Sequence, residues 1–284
     1  MKAHFVHLNR RKKAAFLLGL CLLALSAVAV GGVLCGQEAR ITDFARKDRP
    51  PCLRYPFGTD WLGRDMLARS LAGLSMSIRL GLCTAGIGAL LALALGSGAA
   101  LLGKRVDACI SFVIDAVLGI PHILLLILIS YACGKGFKGV VLGVSLTHWP
   151  ALARLIRAEV LQLRESEYVL AAGKLGAGKM RIALRHLLPH LLPQFAVGLI
   201  LMFPHAVLHE AGITFLGFGL PPEQPAIGII LSESMRYLIT GKWWLALFPG
   251  LMLISVVALF DVAGNSLRSV LDPASAQDPS ATRC

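Results

Sequence analysis

The amino-acid sequence predicts an all-α membrane protein with six transmembrane helices. Hydrophobic residues make up 56% of its 284 positions and charged residues only 15%, and the mean hydropathy is +0.71. A soluble domain is close to half apolar and about a quarter charged, so this composition indicates a lipid solvent. Crossing the hydrocarbon core takes about 20 apolar residues in a helix, and runs of that kind occur at 14–35, 74–102, 108–133, 139–162, 191–219 and 243–265.

The first apolar run follows the basic stretch NRRKK, as the apolar part of a secretory signal peptide does. It is longer than that part of a signal peptide, which has about 7–15 residues. The later stretch GVLCG is similar to a lipoprotein cleavage site, but Leu34 belongs to the wrong residue class for the position before Cys35. We therefore expect an uncleaved helix at 14–35.

The basic residues predict the orientation of the helices, because cytoplasmic loops are enriched in Lys and Arg. They concentrate at Lys2, Arg10, Arg11, Lys12 and Lys13, at Lys104 and Arg105, and at Arg164, Lys174, Lys179, Arg181 and Arg185. With six spans these three places, and both termini, fall on the cytoplasmic side. The prediction is a cytoplasmic N-terminus (1–13), a first helix (14–35), an extracytoplasmic loop with an amphipathic helix (36–73), a transmembrane core (74–265) with a cytoplasmic loop at 163–190, and a cytoplasmic tail (266–284).

Charge and cysteine usage exclude two other classes of protein. The 28 Lys and Arg against 16 Asp and Glu give a net charge of +12, but no surface of interleaved aromatic and basic residues accompanies it. We interpret the excess as membrane orientation and expect no nucleic-acid partner. The seven cysteines are odd in number, scattered and never in C-x-x-C spacing, so we expect neither a disulfide framework nor a zinc cluster.

The stretch GKLGAGKM, residues 173–180, is one residue short of a phosphate-binding loop. Such a loop needs a buried strand before it and a Ser or Thr whose hydroxyl holds magnesium. Met180 occupies the hydroxyl position, the preceding SEYVLAAGKL is typical of a helix, and no parallel-sheet pattern exists in the chain. The chain is therefore not expected to hydrolyse ATP, and we expect no cofactor in it.

The segment around this stretch resembles the EAA loop of the permease subunits of ATP-driven importers. It has Ala171-Ala172, three residues, Gly176, nine residues, and then His186-x-Leu188-Pro189. Leu170 replaces the glutamate of the pattern and His186 its usual isoleucine, departures that resemble the dipeptide, oligopeptide and nickel branch. We expect a short helix at 168–174, a glycine break at 176–178 and a second helix that ends at Pro189.

A second motif agrees with this resemblance. The stretch YPFGTDWLGRDMLARSLAGLSMSIRLGL, residues 55–82, is similar to the G-T-D-x-x-G-R-D signature of the C-type permease of the same branch. Thr59 or Asp60 can cap a helix N-terminus, and Asp65 and Arg69 have the i,i+4 spacing of an ion pair. FVIDAVLGIP, with Asp115 and Pro121, and GITFLGFGLPP also fit, so the resemblance covers about residues 14 to 273.

The resemblance implies a type I importer permease in a bacterial inner (cytoplasmic) membrane, spanning it several times and surrounded by lipid. It implies a homologous second permease subunit, two ATP-binding subunits that hold ATP and Mg, and an extracytoplasmic solute-binding protein. The coupling loop, by which we mean residues 163–190, docks onto an ATPase subunit in this family. The residues that match its pattern or lie beside it are Tyr168, Ala171, Ala172, Gly176 and Pro189.

Histidines in the fifth apolar run provide the candidate cargo contacts. His205 and His209 lie four residues apart, on one helix face, and an ionisable residue within a membrane is a functional candidate because its burial in lipid is costly. The pair can hold a borderline metal ion through imidazole nitrogens. Nickel permeases of the branch resemble this spacing, so we expect a nickel or chelated-metal importer with His205 and His209 as transient ligands. The alternatives are a dipeptide or oligopeptide importer and histidines that only line a polar pathway.

Other ionisable residues can belong to the same pathway. Glu210 follows His209 directly, His122 follows the helix-bending Pro121, and His148 lies in the fourth apolar run. Together with the pair, we place His122 and Glu210 on the translocation path. Asp115 is expected to be a packing or gating partner rather than a ligand.

Two functions of other classes compete with an importer permease. An intramembrane metalloenzyme would use the same histidines, but the zinc-protease signature H-E-x-x-H places its Glu directly after the first His. Here Glu210 follows the second His, so its carboxylate would be misplaced as a general base. A passive channel or receptor gives no reason for the coupling loop.

Overall fold

The computed structural model describes residues 10–271, and within that range it contains ten α-helices and no β-strand. Residues 1–9 of the predicted cytoplasmic N-terminus (1–13) and residues 272–284 of the predicted tail (266–284) lie outside the described residues, whereas 10–13 belong to α1 and 266–271 to α10. The helices are α1 (Arg10–Leu34), α2 (Met66–Leu101), α3 (Lys104–Gly119), α4 (His122–Ala132), α5 (Gly136–Arg164), α6 (Glu167–Lys174), α7 (Lys179–Ile182), α8 (Leu188–Phe215), α9 (Ile227–Leu238) and α10 (Trp244–Leu271).

Among residues 10–271, five helices are each long and apolar enough to cross a membrane, and a bent pair of helices makes a sixth span when it is counted as one. The five are Arg11–Leu34, Met66–Leu101, Gly136–Arg164, Met180–Phe215 and Trp244–Leu271. The third apolar run, predicted as one helix at 108–133, is instead α3 and α4, which meet at 100°. Pro121 explains the break, since proline disfavours helical backbone in the residue before it and Ile120 is extended, with φ −89° and ψ 137°.

The second span begins eight residues earlier than predicted. The expected amphipathic helix of the 36–73 loop is continuous with it, and α2 begins at Met66 because the Asp65 side chain caps it by accepting a hydrogen bond from the Leu67 amide. The loop itself contains only two short 3-10 helices, Glu38–Arg40 and Phe44–Arg46. With 36 residues α2 is about 54 Å long, well beyond the thickness of a bilayer core.

α2 runs through the centre of the bundle, where it packs against α5 and α8, while α1 lies outside against α10 and α2. Small residues allow the close approach of α2 and α5. A Cβ added at Gly96 would lie 2.6 Å from the carbonyl oxygen of Ala153, so the two helix backbones touch. Such small-residue contacts allow helices to associate in lipid. They hold one face of α5 against α2, and the other face of α5 lies at the candidate site.

A buried ion-pair network joins the start of α2 to the preceding loop and to α9. Arg69 is only 3% exposed and contacts Asp60 at 2.8 Å and Glu233 at 3.0 Å. Asp60 also accepts hydrogen bonds from the amides of Leu62 and Arg64. The prediction that Asp65 pairs with Arg69 is therefore wrong. Asp65 instead caps the N-terminus of α2, a role that the sequence suggested for Thr59 or Asp60.

The coupling loop has the predicted helix–glycine–helix order, but its second helix does not end at Pro189. α6 covers Glu167–Lys174, Gly176 has φ +83°, and α7 leads into a π-helical turn at Ala183–Leu187. α8 then continues through Pro189 as its second residue. Proline is tolerated in the first turn of a helix, and here the π turn accommodates it, with the Leu188 amide bonded to the Ala183 carbonyl.

Candidate functional site

Three half-buried histidines from three helices lie side by side. The break at Pro121 makes His122 the first residue of α4, while His148 lies in α5 and His209 in α8. Their ring centroids are 4.6 Å apart for His122 and His148, 4.5 Å for His122 and His209, and 4.9 Å for His148 and His209. One ring nitrogen of each histidine can be chosen so that the three nitrogens all lie within 4.8 Å of one another. We call these residues the histidine triad.

Backbone hydrogen bonds orient two of the three rings. Nδ1 of His148 lies 2.9 Å from the Val144 carbonyl oxygen, and Nδ1 of His209 lies 2.7 Å from the His205 carbonyl oxygen. A carbonyl oxygen can only accept, so in both contacts Nδ1 carries the proton. The lone pair of each neutral ring is then on Nε2, the atom with which a histidine binds a metal or accepts a proton.

A cavity of about 460 Å³ opens beside the triad. From His148 its lining continues along α5 to Leu155, and from His209 it continues back along α8 to Gly198. Both stretches run from the triad towards the coupling-loop ends of their helices. The lining is mostly apolar side chains with a few polar groups, as in a small-molecule site. Its remaining members are Leu118, His122, Thr147, Ala151, Leu152, Leu201, Met202 and His205.

The structure separates the residues that the sequence grouped together on α8. His205 lines the cavity but lies one turn from the triad, so the His205–His209 pair is not the closest cluster. Glu210 is fully buried and turned towards α2, where Ser77 donates to it at 2.6 Å, and Thr214 of its own helix donates to it at 3.0 Å. Its carboxylate does not line the cavity. Glu210 is therefore a buried packing residue whose carboxylate has its hydrogen-bond donors. The general base that an intramembrane metalloenzyme needs is absent from the described lining of this cavity.

Sequence reasoning left His148 outside its list of pathway residues. The signal was present, because three separate apolar runs contain histidine: His122 in the third, His148 in the fourth, and the pair on α8 in the fifth. Periodicity on one helix can pair His205 with His209, but only the packing of α4 and α5 against α8 brings His122 and His148 to the same point. Asp115, expected as a packing partner, forms an ion pair with Arg154, and Asp107 likewise joins α3 to α5 through Arg157.

The coupling loop presents apolar side chains outward, while Val169 and Leu187 anchor it in the core. Val169 is 5% exposed and belongs to the core cluster that includes Ala153, Leu152 and Leu187. The side chains of Tyr168, Leu170, Leu175, Met180 and Leu184 are exposed, as is that of Ala171, and Ala172 is half-buried. Leu152 belongs to both the cluster and the cavity lining, so the loop and the cavity share a packed core.

Comparisons with known proteins agree with one another on the type of protein. Residues 88–276 match the family described as binding-protein-dependent transport system inner membrane component. A peptide transport system permease of Brucella suis is 36% identical over 94% of this chain and 89% of its own. The dipeptide permease of Bacillus subtilis is 30% identical over 94% of this chain and 83% of its own, and its oligopeptide permease is 33% identical over 82% and 76%.

A solved structure shares the fold. A chain of the inward-facing MetNI methionine ABC transporter, from the CY5 crystal form soaked with selenomethionine, superimposes with a TM-score of 0.62. The superposition covers 73% of this chain and 98% of that chain, at 18% identity. At that identity the likeness describes the architecture and not the cargo.

Proposed function

Since this chain belongs to the family of binding-protein-dependent transport system inner membrane components and is a permease subunit of an ATP-binding-cassette importer, we propose that it forms half of a pathway for short peptides across a bacterial inner membrane. The family predicted from the coupling-loop motif is confirmed, and its members are transport components rather than enzymes. In the proposal a homologous permease forms the other half of the pathway, two ATPase subunits hold ATP and Mg, and a solute-binding protein delivers the peptide.

The choice of peptide over nickel follows the relatives. Those described above are named for peptides, dipeptides and oligopeptides, which favours the alternative weighed in the sequence over our first expectation of nickel. The cavity agrees with a small organic cargo, because it is mostly apolar and has a volume of about 460 Å³. Ligand pockets for small molecules have about 300–1,000 Å³.

One observation carries the proposal: the same two helices enclose the cavity and bear the coupling loop. α5 runs from the cavity to its end at Arg164, and α8 returns from Leu188 to the cavity. Val169 of α6 packs into the core that also contains Leu152 of the cavity wall. A displacement of α6 by a docked ATPase therefore reaches the cavity through rigid packed elements. This arrangement supports alternating access by rocking of helices around a central site.

Apolar side chains on the outer face of the loop support the docking role. Leu175 is 88% exposed and Met180 is 72% exposed, and Tyr168, Leu170 and Leu184 of the same short loop are exposed as well. A concentration of exposed apolar side chains favours burial against another protein, whereas single scattered ones do not. Gly176 sets the angle between α6 and α7 with its positive φ. A side chain at this φ is strained, whereas Gly178 has no such backbone and open space around its α-carbon. The two glycines provide a matched pair of variants.

Peptide uptake tests the proposal. Cells that lack the native permease gene but express its ATPases, second permease and binding protein would receive either Gly176→Val or Gly178→Val, with membrane levels matched by immunoblot. We expect uptake of a radiolabelled dipeptide to fall at least tenfold with Gly176→Val and to change less than twofold with Gly178→Val. Wild-type cells that take up no dipeptide contradict the cargo, and equal uptake by the two variants contradicts the coupling role.

A further inference from the structure

We propose that the histidine triad is a binding site for a borderline divalent transition-metal ion, such as Ni²⁺, Zn²⁺ or Cu²⁺, and that the cargo peptide crosses as a complex of that ion. Metal binding by His122, His148 and His209 stands on the geometry of this chain. Its use in transport rests on the proposed function, and the experiments below separate the two.

The three nitrogen ligands come from three different helices. Their proximity therefore depends on how the helices pack and not on the spacing of residues along one helix. An ion with metal–nitrogen bonds of about 2.0–2.1 Å holds tetrahedral ligands about 3.3 Å apart. The triad nitrogens already lie within 4.8 Å of one another, so a movement of the imidazole rings of about an ångström completes the site. Three imidazoles leave the fourth position open, which is typical of sites that exchange their ligand.

The hydrogen bonds of the triad fit metal binding. In His148 and His209 the Nδ1 proton is donated to the carbonyl oxygen four residues earlier, which fixes the ring and leaves Nε2 as donor to a metal. Such backbone contacts are the usual outer support of metal-binding histidines. The Nε2 atoms of His122 and His148 are buried and have no hydrogen-bond partner among residues 10–271. Buried polar atoms are normally paired, and a metal ion satisfies both atoms at once.

Charge argues for a metal complex as cargo rather than a bare ion. None of the described residues that line the cavity is acidic, and Glu210 is bonded to Ser77 and Thr214 instead. Three neutral imidazoles do not compensate a doubly charged ion, and an uncompensated charge within a membrane is costly. A peptide that binds the ion through its carboxylate and amide nitrogens supplies both the remaining ligands and the negative charge.

Donors continue from the triad towards the coupling loop. His205 and Met202 line the cavity on the same side of α8, one and two turns from His209. Imidazole and thioether groups both suit the later first-row transition metals, and neither suits Mg²⁺ or Ca²⁺. The row of donors gives a metal complex successive weak contacts along the cavity, as conduction along a pathway requires.

Direct binding of Ni²⁺ to the purified chain in lipid nanodiscs tests the site without transport. Equilibrium dialysis with radioactive nickel is expected to give one ion per wild-type chain, and His122→Gln, His148→Gln and His209→Gln are each expected to weaken binding at least tenfold. His190→Gln, at an exposed position near the coupling loop, serves as the control. Absence of binding by the wild type overturns the proposal. A loss with His205→Gln as large as that with His148→Gln also overturns it, because the site would then be the pair on α8.

A measurement on the wild-type chain guards against variants that misfold. Histidine modification by diethyl pyrocarbonate, mapped by mass spectrometry, is expected to slow at least fivefold at His122, His148 and His209 when Ni²⁺ is added. His190 is expected to react at the same rate with and without Ni²⁺. Protection spread evenly over all of these histidines, or protection of none, contradicts a triad site.

Three uptake arms then test the cargo: radioactive Ni²⁺ alone, the Ni²⁺ complex of glycyl-histidine, and metal-free dialanine. We expect uptake of the complex to exceed that of Ni²⁺ alone and that of metal-free dialanine, and we expect His148→Gln to lower uptake of the complex at least tenfold at matched membrane levels. If Ni²⁺ alone enters as fast as the complex, the peptide-complex cargo is refuted. If dialanine and the complex both fail to enter wild-type cells, the peptide function fails while the binding result stands.

Discussion

Arg69 provides the sharpest test of how the segment before α2 is held to the rest of the bundle. Arg69 is 3% exposed, and its guanidinium bridges Asp60 at 2.8 Å and Glu233 at 3.0 Å. It therefore joins the segment between α1 and α2 to α9. Removing one partner of a buried ion pair costs about 3–5 kcal/mol. Arg64 keeps its own contact with Asp60 at 2.7 Å. We therefore expect Arg69→Met to lower the free energy of unfolding by about 3 kcal/mol, the lower end of that range.

The control is Arg40→Met, which makes the same chemical change at an exposed position of the same connection. A surface substitution of this kind changes stability by about 0.5 kcal/mol or less. Equilibrium unfolding in mixed detergent micelles, followed by tryptophan fluorescence, measures both variants. Trp61 is a local reporter because it stacks on Tyr237 and lies under the Arg69 guanidinium. Equal losses with Arg69→Met and Arg40→Met would refute the reasoning.

Two further predictions concern contacts in the centre of the bundle. Gly96→Leu is expected to lower the free energy of unfolding by about 1–3 kcal/mol, because the new side chain overpacks against the backbone of Ala153. Gly86→Leu is expected to be well tolerated, because a Cβ at Gly86 meets open space. Thermal unfolding compares the two variants, and a larger loss of stability with Gly86→Leu contradicts the α2–α5 packing. Ser77→Ala removes one of the hydrogen-bond donors to the buried Glu210 carboxylate. We expect it to lower the free energy of unfolding by about 1–3 kcal/mol, the cost of an unsatisfied buried group. An unchanged midpoint of chemical unfolding would show that this hydrogen bond does not stabilise the fold.

The architecture followed from the sequence because its signals are local. Apolar runs of sufficient length identify the spans whatever surrounds them, and the glycine break of the coupling loop depends on the backbone freedom of Gly176. Even the bend of the third apolar run had a local marker in Pro121. The true start of α2 also had a local marker in its cap Asp65, but Arg69 and its neighbours are polar enough to indicate a surface helix separate from the span. Their burial depends on α9, whose Glu233 is 164 positions away.

The candidate site depended on tertiary packing to a greater extent. Four-residue spacing on one helix correctly placed His205 and His209 on a shared face, but no periodicity relates His148 to His122. Those two residues meet His209 only because a bend after Ile120 and close packing of α5 bring their helices together. Glu210 shows the converse: adjacency in sequence to His209 suggested a shared role, whereas one step along a helix turns the side chain by about 100°, here towards α2.

The measurement that bears most directly on this account is ATP hydrolysis by the complete importer in proteoliposomes, with and without peptide-loaded binding protein. We expect loaded binding protein to stimulate hydrolysis in the assembly with the wild-type chain and with Gly178→Val. With Gly176→Val we expect the basal rate to remain and the stimulation to be lost, because the coupling loop no longer links cavity and ATPase. Hydrolysis by this chain in isolation, or full stimulation with Gly176→Val, would contradict the account.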